Sequence, residues 1–80
     1  MTNVGEQINV IASFGYSNKI KPLRFHWSGR LHDVKEITYT WKTKEGQSEI
    51  YHFSLTDGKT LYELSFDADS LVWRVERVEG

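Results

Sequence analysis

Eighty residues, with ten Lys or Arg against eleven Asp or Glu and a formal net charge of −1, make a single domain, residues 1–80. The chain has no cysteine, which excludes a disulfide framework and a thiolate metal centre. A chain this short buries only roughly 60% of its unfolded surface, so its three Trp, four Tyr and four Phe, with Ile, Val and Leu, must supply the core.

The first predicted strand is Gln7 to Gly15, with Ile8, Val10, Ala12 and Phe14 on one face. It is interrupted by Asn9 and Ser13 and has no basic region before it, so it does not read as a signal peptide. No run approaches the roughly 20 apolar residues of a membrane-spanning helix, and the expectation is a cytoplasmic protein. Gly15-Tyr16-Ser17-Asn18 reads as a turn or loop. Pro22 cannot donate to a ladder, so the next strand starts there or lies at an edge.

Leu23-Arg24-Phe25-His26-Trp27 alternates, and Ser28-Gly29 follows as a two-residue turn. Closing it sets Trp27 against Arg30, Phe25 against His32 and Leu23 against Val34, with Arg24 opposite Asp33 and His26 opposite Leu31 on the other face. The opposite charges support the register. Past Val34 the phase changes to Ile37, Tyr39 and Trp41, which predicts a bulge or sharp bend near Lys35-Glu36.

Gly46 at a positive φ in a three-residue loop would set Trp41 against Tyr51 and Tyr39 against Phe53, keeping one apolar face. Asp57-Gly58 is the strongest hairpin signal in the chain. Closed on those two residues, it sets Tyr51 against Leu64 and Phe53 against Tyr62. Asp67-Ala68-Asp69-Ser70 then turns the chain, setting Phe66 against Leu71, Leu64 against Trp73, Tyr62 against Val75 and Glu63 against Arg74. The last strand ends near Val78. The fold class is therefore all-β: about six antiparallel strands in meander order forming a small barrel or half-open roll. Its expected core is Phe25, Tyr39, Trp41, Tyr51, Phe53, Tyr62, Leu64 and Trp73.

Several groups invite a chemical reading. His52, Glu63 and Arg74 are predicted side by side on the outer face, where a His beside a carboxylate suits a general base. No Ser, Thr or Cys nucleophile is forced into reach, and an exposed cross-strand ladder explains the trio as well. His26 and His32 fall on opposite faces of their hairpin, which is wrong for shared metal ligation. Asp67-Ala68-Asp69 begins like a calcium loop but lacks the Gly and closing Glu of that motif. No Gly-rich phosphate loop is present. The chain is expected to be non-catalytic and to carry no metal or cofactor.

Charge is unevenly placed. Residues 19–44 hold seven basic residues and two acidic ones, giving +5, whereas residues 45–80 hold three basic and eight acidic, giving −5. The plain reading is that basic strands lie beside acidic ones and neutralise them. The functional reading is a binding surface formed by Arg24, Trp27, Arg30, Lys35 and Lys42.

The pattern Pro22-x-x-Phe25-x-Trp27-x-Gly29-Arg30, then Val34 and Trp41, resembles an uncharacterised family of small bacterial β domains. The later run His52-Phe53-x-Leu55, Asp57-Gly58, Tyr62-Glu63-Leu64, Phe66-Asp67, Trp73 and Arg77-Val78 extends the resemblance. Some related segments sit beside DNA-polymerase-like proteins, which implies an accessory or DNA-linked role. The family brings no catalytic residues. Its pattern implies an aromatic such as Tyr where His32 stands, which fits a packing role for that ring. The resulting expectation is a non-catalytic binding or interaction module with a protein partner, as a monomer or weak homodimer. The alternative is a nucleic-acid-binding accessory domain using the basic face of residues 19–44. A small enzyme using His52 and Glu63 is the third class.

Overall fold

The structure, a computed structural model, describes residues 2–16 and 19–79. Among them are eight strands and no helix: β1 (Thr2–Ile8), β2 (Val10–Phe14), β3 (Ile20–Trp27), β4 (Arg30–Asp33), β5 (Glu36–Glu45), β6 (Ser48–Thr56), β7 (Leu61–Asp67) and β8 (Val72–Glu79). They form a five-stranded sheet in the order β1-β8-β7-β6-β5 and a three-stranded sheet in the order β2-β3-β4. Every pairing is antiparallel. Except for β1 on β8, each joins strands adjacent in sequence. The meander is therefore present, but two sheets replace the six-stranded barrel.

The difference arises where the chain changes sheets. The strand predicted at residues 7–15 is cut at Asn9: Ile8 pairs with Trp73 in the large sheet and Val10 with Phe25 in the small one. The inward parity survives the cut, with Ile8 buried and Val10 and Ala12 half-buried. Phe14 departs from it. Its ring is 62% exposed and meets Phe66 edge-on at 5.8 Å. Residues 2–6 show no apolar alternation and were not predicted as a strand; pairing with β8 makes them one. Of the predicted loop at residues 15–18, Ser17 and Asn18 lie outside the described residues. The N–H of Gly15 donates to Lys19 O at 2.8 Å.

The β3–β4 hairpin has the expected register, with Trp27 opposite Arg30, His26 opposite Leu31, Phe25 opposite His32 and Arg24 opposite Asp33. Ser28 at φ 54° and Gly29 at φ 75° close it, the double left-handed turn that matches strand twist. Pro22 lies inside β3 rather than at its start. The register slips there, Ile11 facing Arg24 and Ala12 facing Pro22, so Leu23 is bulged, a place where proline is tolerated in a sheet.

The phase change after Val34 marks the second crossing. The Val34 N–H donates to Leu23 O in the small sheet (2.9 Å), and the next amide, Lys35 N–H, donates to Thr56 O in the large one (2.8 Å). A further slip between Ile37 and Tyr39 follows. The β5–β6 connection is Gly46-Gln47 rather than a three-residue loop, so Trp41 faces His52 and Tyr39 faces Ser54. This one-residue difference turns both rings to the outer face. Tyr39 is 66% exposed and Trp41 half-buried, which corrects their placement in the core.

Of the two later turns, the first is longer than predicted, and the second keeps its predicted length but lies one residue further on. The first spans Asp57 to Thr60 and sets Phe53 against Leu64 and Leu55 against Tyr62. Asp57 Oδ1 accepts the N–H groups of Lys59 and Thr60, each at 2.9 Å, and this carboxylate fastening stabilises a four-residue loop over a two-residue one. The second turn spans Ala68 to Leu71, with Asp67 Oδ1 accepting from Asp69 and Ser70. Asp67 thus ends β7 and fastens the turn that follows it, and Phe66 faces Trp73 rather than Leu71. Each register moves by two, so the faces are unchanged. A bulge beyond Leu64 then sets Glu63 against Arg77 instead of Arg74.

The core lies between the sheets: Ile8, Phe25, Phe53, Leu55, Tyr62, Leu64, Phe66, Trp73 and Val75. Phe25 spans the layers, meeting the Tyr62 ring edge-on at 4.9 Å. No helix among the described residues is long and apolar enough to cross a membrane.

Candidate binding surface

The five residues predicted as a binding surface do not share a face. Arg24 points outward from the small sheet, its Nε 2.8 Å from Asp33 Oδ1, so a carboxylate on its own hairpin neutralises it. Trp27 is half-buried against the core. Arg30 faces it across the turn. Lys35 sits at the sheet crossing, where its Cγ would be 3.5 Å from a Cβ added to Gly58. Lys42 projects from the inner side of β5, with Nζ 5.4 Å from the centre of the Tyr51 ring.

Lys42 belongs to a different assembly. β4 pairs with β3 only as far back as Arg24, and the bond from Val34 to Leu23 is the last across that seam. After the crossing, β5 is the edge strand of the other sheet. The first residues of β3 and the middle of β5 therefore diverge, leaving an open cleft of about 580 Å³. Lys19, Ile20 and Lys21 form one wall, and Thr40 and Lys42 the other, with Tyr51 between. Its lining holds three lysines and no carboxylate, and among the described residues none of these lysines has an ion-pair partner. Lys19 and Lys21 were part of the basic segment in the sequence, but nothing in their spacing marked them as facing Lys42. That depends on where the two strands part.

The outer face of the large sheet carries the other constellation. Tyr39, Trp41 and His52 form a run of stacked rings, with centroids 5.5 Å apart for the first pair and 5.0 Å for the second. His52 Nε2 shares a hydrogen bond with Thr43 Oγ1 at 2.8 Å. Its buried Nδ1 has no hydrogen-bond partner, the nearest carboxylate being Glu63 Oε2 at 3.9 Å. Arg74 is not part of this group. It donates to Gly5 O on β1 (3.2 Å), and Arg77 takes its place, with Nε 3.8 Å from Glu63. Ser65 lies across from His52 but is buried and donates its hydroxyl to Glu76 at 2.6 Å. Its hydroxyl is thus engaged by Glu76 and not by His52.

Comparison with protein-family models, curated proteins and solved structures finds no match.

His32 is held between the layers. Its ring stacks on Phe25 at 5.2 Å, as an aromatic at that position would. Nδ1 faces Asp57 Oδ2 at 3.1 Å and Nε2 faces Trp27 O at 3.2 Å. Both neighbours are acceptors, so satisfying both bonds takes a proton on each nitrogen. Burial acts to raise the Asp57 pKa, but the amides of Lys59 and Thr60, with His32, outweigh it and hold the carboxyl below its ordinary range. The same carboxylate adds to burial in pushing the Tyr62 phenol up. His26 stands on the opposite, exposed face. No group of three His, Cys, Asp or Glu among the described residues is placed to hold a metal.

Proposed function

We infer that this chain is a non-catalytic binding module that takes an anionic partner in the cleft between β3 and β5. The observation that carries the reading is the cleft's lining, three lysines without a carboxylate in a protein whose net charge is −1. Unneutralised like charges around a concave, partly apolar floor raise the local concentration of an opposite charge. A protein partner is favoured because both walls are strand edges with main-chain groups unused by the fold.

The test is an amide-resolved titration with a heparin oligosaccharide as generic polyanion. Shifts should gather at Lys19–Lys21 and Thr40–Lys42, fade with added salt, and vanish in Lys42→Glu. Shifts centred on Arg24 and Arg30 instead, or none anywhere, refute the assignment.

The outer ring stack gives a second reading its footing. The exposed Tyr39 and the half-buried Trp41 stand on the same strand that supplies Lys42, and single-stranded nucleic acid binds where bases stack on aromatics beside a basic groove. That reading predicts Trp41 quenching by mixed single-stranded DNA, with affinity falling against salt at a slope of about −0.7 per phosphate neutralised. An unchanged affinity in Trp41→Ala would remove it.

A further inference from the structure

The cleft has a property beyond its charge: both walls are unfinished sheet. β5 runs ten residues with β6 on one side and no strand on the other. β3 between Ile20 and Pro22 has β2 on one side and nothing from β4 on the other. Between them lie the half-buried Ile20 and Tyr51 and the buried Phe53. We propose that an extended acidic segment of a partner protein pairs with the free edge of β5, the side chains it turns into the cleft setting apolar groups over Ile20 and Tyr51 and carboxylates against Lys19, Lys21 and Lys42.

Three features select this occupant. A free strand edge offers a row of N–H and C=O groups that another strand satisfies, and such addition gives affinity through the main chain and specificity through alternate side chains. An added strand has a period of two, so one set of its side chains faces the cleft, where the apolar floor and Lys42 lie on the same side, while the other stays at the surface. The lysines decide the charge. Proteins place Lys on edge strands to repel unwanted pairing, and here the same residues admit only a strand that brings carboxylates. The bulge at Thr38, whose Oγ1 donates to Ser54 O, confines the regular edge to residues 39–45.

The inference rests on the cleft being an anion seat, and the experiment separates the two. The probes are a capped Glu-Ser-Val-Ser repeat peptide, whose one face alternates Glu and Val, the same peptide N-methylated on alternate residues so that it cannot pair, and mixed single-stranded DNA. Amide shifts and amide exchange are followed for the whole chain at low and high salt. The Glu-Ser-Val-Ser peptide should shift Ile20, Lys21 and Thr40–Lys44 and slow exchange along β5. N-methylation should weaken it roughly tenfold or more, since main-chain bonds carry the affinity in strand addition. Lys42→Glu and Lys21→Glu, both at exposed positions, should each weaken it about fivefold or more without altering the free protein's spectrum. Equal binding of the N-methylated peptide overturns strand pairing and leaves the anion seat standing. Tighter binding of DNA than of the peptide overturns the choice of partner. No shift in the cleft with the peptide overturns the inference, and if heparin also fails there, the anion seat falls with it.

Discussion

Replacing Asp57 by Ala removes a fastening that joins both sheets. The carboxylate accepts from Lys59 N and Thr60 N at 2.9 Å each and from His32 Nδ1 at 3.1 Å, and its side chain is 14% exposed. Hydrogen bonds to a charged group are worth about 1.5–3 kcal/mol each when fully realised. The two turn amides can bond water instead once freed, so the loss is nearer that of a cap residue, about 1 kcal/mol, plus about 1–2 kcal/mol for the His32 bond. Asp57→Ala should thus cost about 2–3 kcal/mol, a fall in Tm of about 10–20 °C for a domain this size. Asp57→Asn keeps an acceptor for the turn and loses only the charge, and should cost about 1 kcal/mol. The pH dependence has a definite sign. The folded carboxyl ionises below its ordinary value of about 3.9, so its contribution is complete above that value and is lost as pH falls through the lower folded pKa. Urea titrations at a series of pH values would therefore show wild type and Asp57→Asn converging in acid below about pH 4. A neutral-pH difference between wild type and Asp57→Ala under about 0.5 kcal/mol would refute the argument. So would a gap between wild type and Asp57→Asn that persists in acid.

Leu64→Ala should cost about 2–5 kcal/mol in the same assay, because Leu64 is fully buried between Phe53 and Val75 and its neighbours cannot collapse into the void. Gly58→Ala should cost about 1–2 kcal/mol. A Cβ there meets Lys35 at an ordinary 3.5 Å, so the cost lies in holding a side chain at φ 99°, and a neutral result would mean the turn relaxes. Arg24→Ala should change stability by at most about 1 kcal/mol, since both members of its pair with Asp33 are more than half exposed. A larger loss would show that the small sheet depends on that pair.

The Ser28-Gly29 hairpin was legible down to its individual pairs because a two-residue turn leaves no freedom of register. Asp57-Gly58 was legible as a turn but not as a loop of four, because Asp57 uses its carboxylate where the dipeptide signal assumes only backbone conformation. That error was harmless: a shift of two keeps Phe53, Tyr62 and Leu64 on one face. The shift of one around Gly46 was not harmless, for it carried Tyr39 and Trp41 from the expected core to the outer stack. The phase change at Val34 announced a bend, yet the cleft that the bend opens was beyond sequence reasoning. Its walls come from strands well separated in the chain, Lys21 and Lys42 among them, and only the tertiary crossing shows that they diverge. β1 left no pattern to read, as its residues gain their conformation from β8.

That last pairing also orders the protein in time. Every other strand contact closes a short loop, whereas β1 on β8 joins Thr2 to Val78 across nearly the whole chain. Loop closure of that length is the slowest contact to form and rests on the fewest local supports. β1 also carries a register break between Asn3 and Glu6. It is therefore expected to dock last and to open first, as a local unfolding step below the global one. Each opening strips the cover from β8 and lifts Ile8 off Trp73, so native-state amide exchange should find β1 the least protected strand of the large sheet.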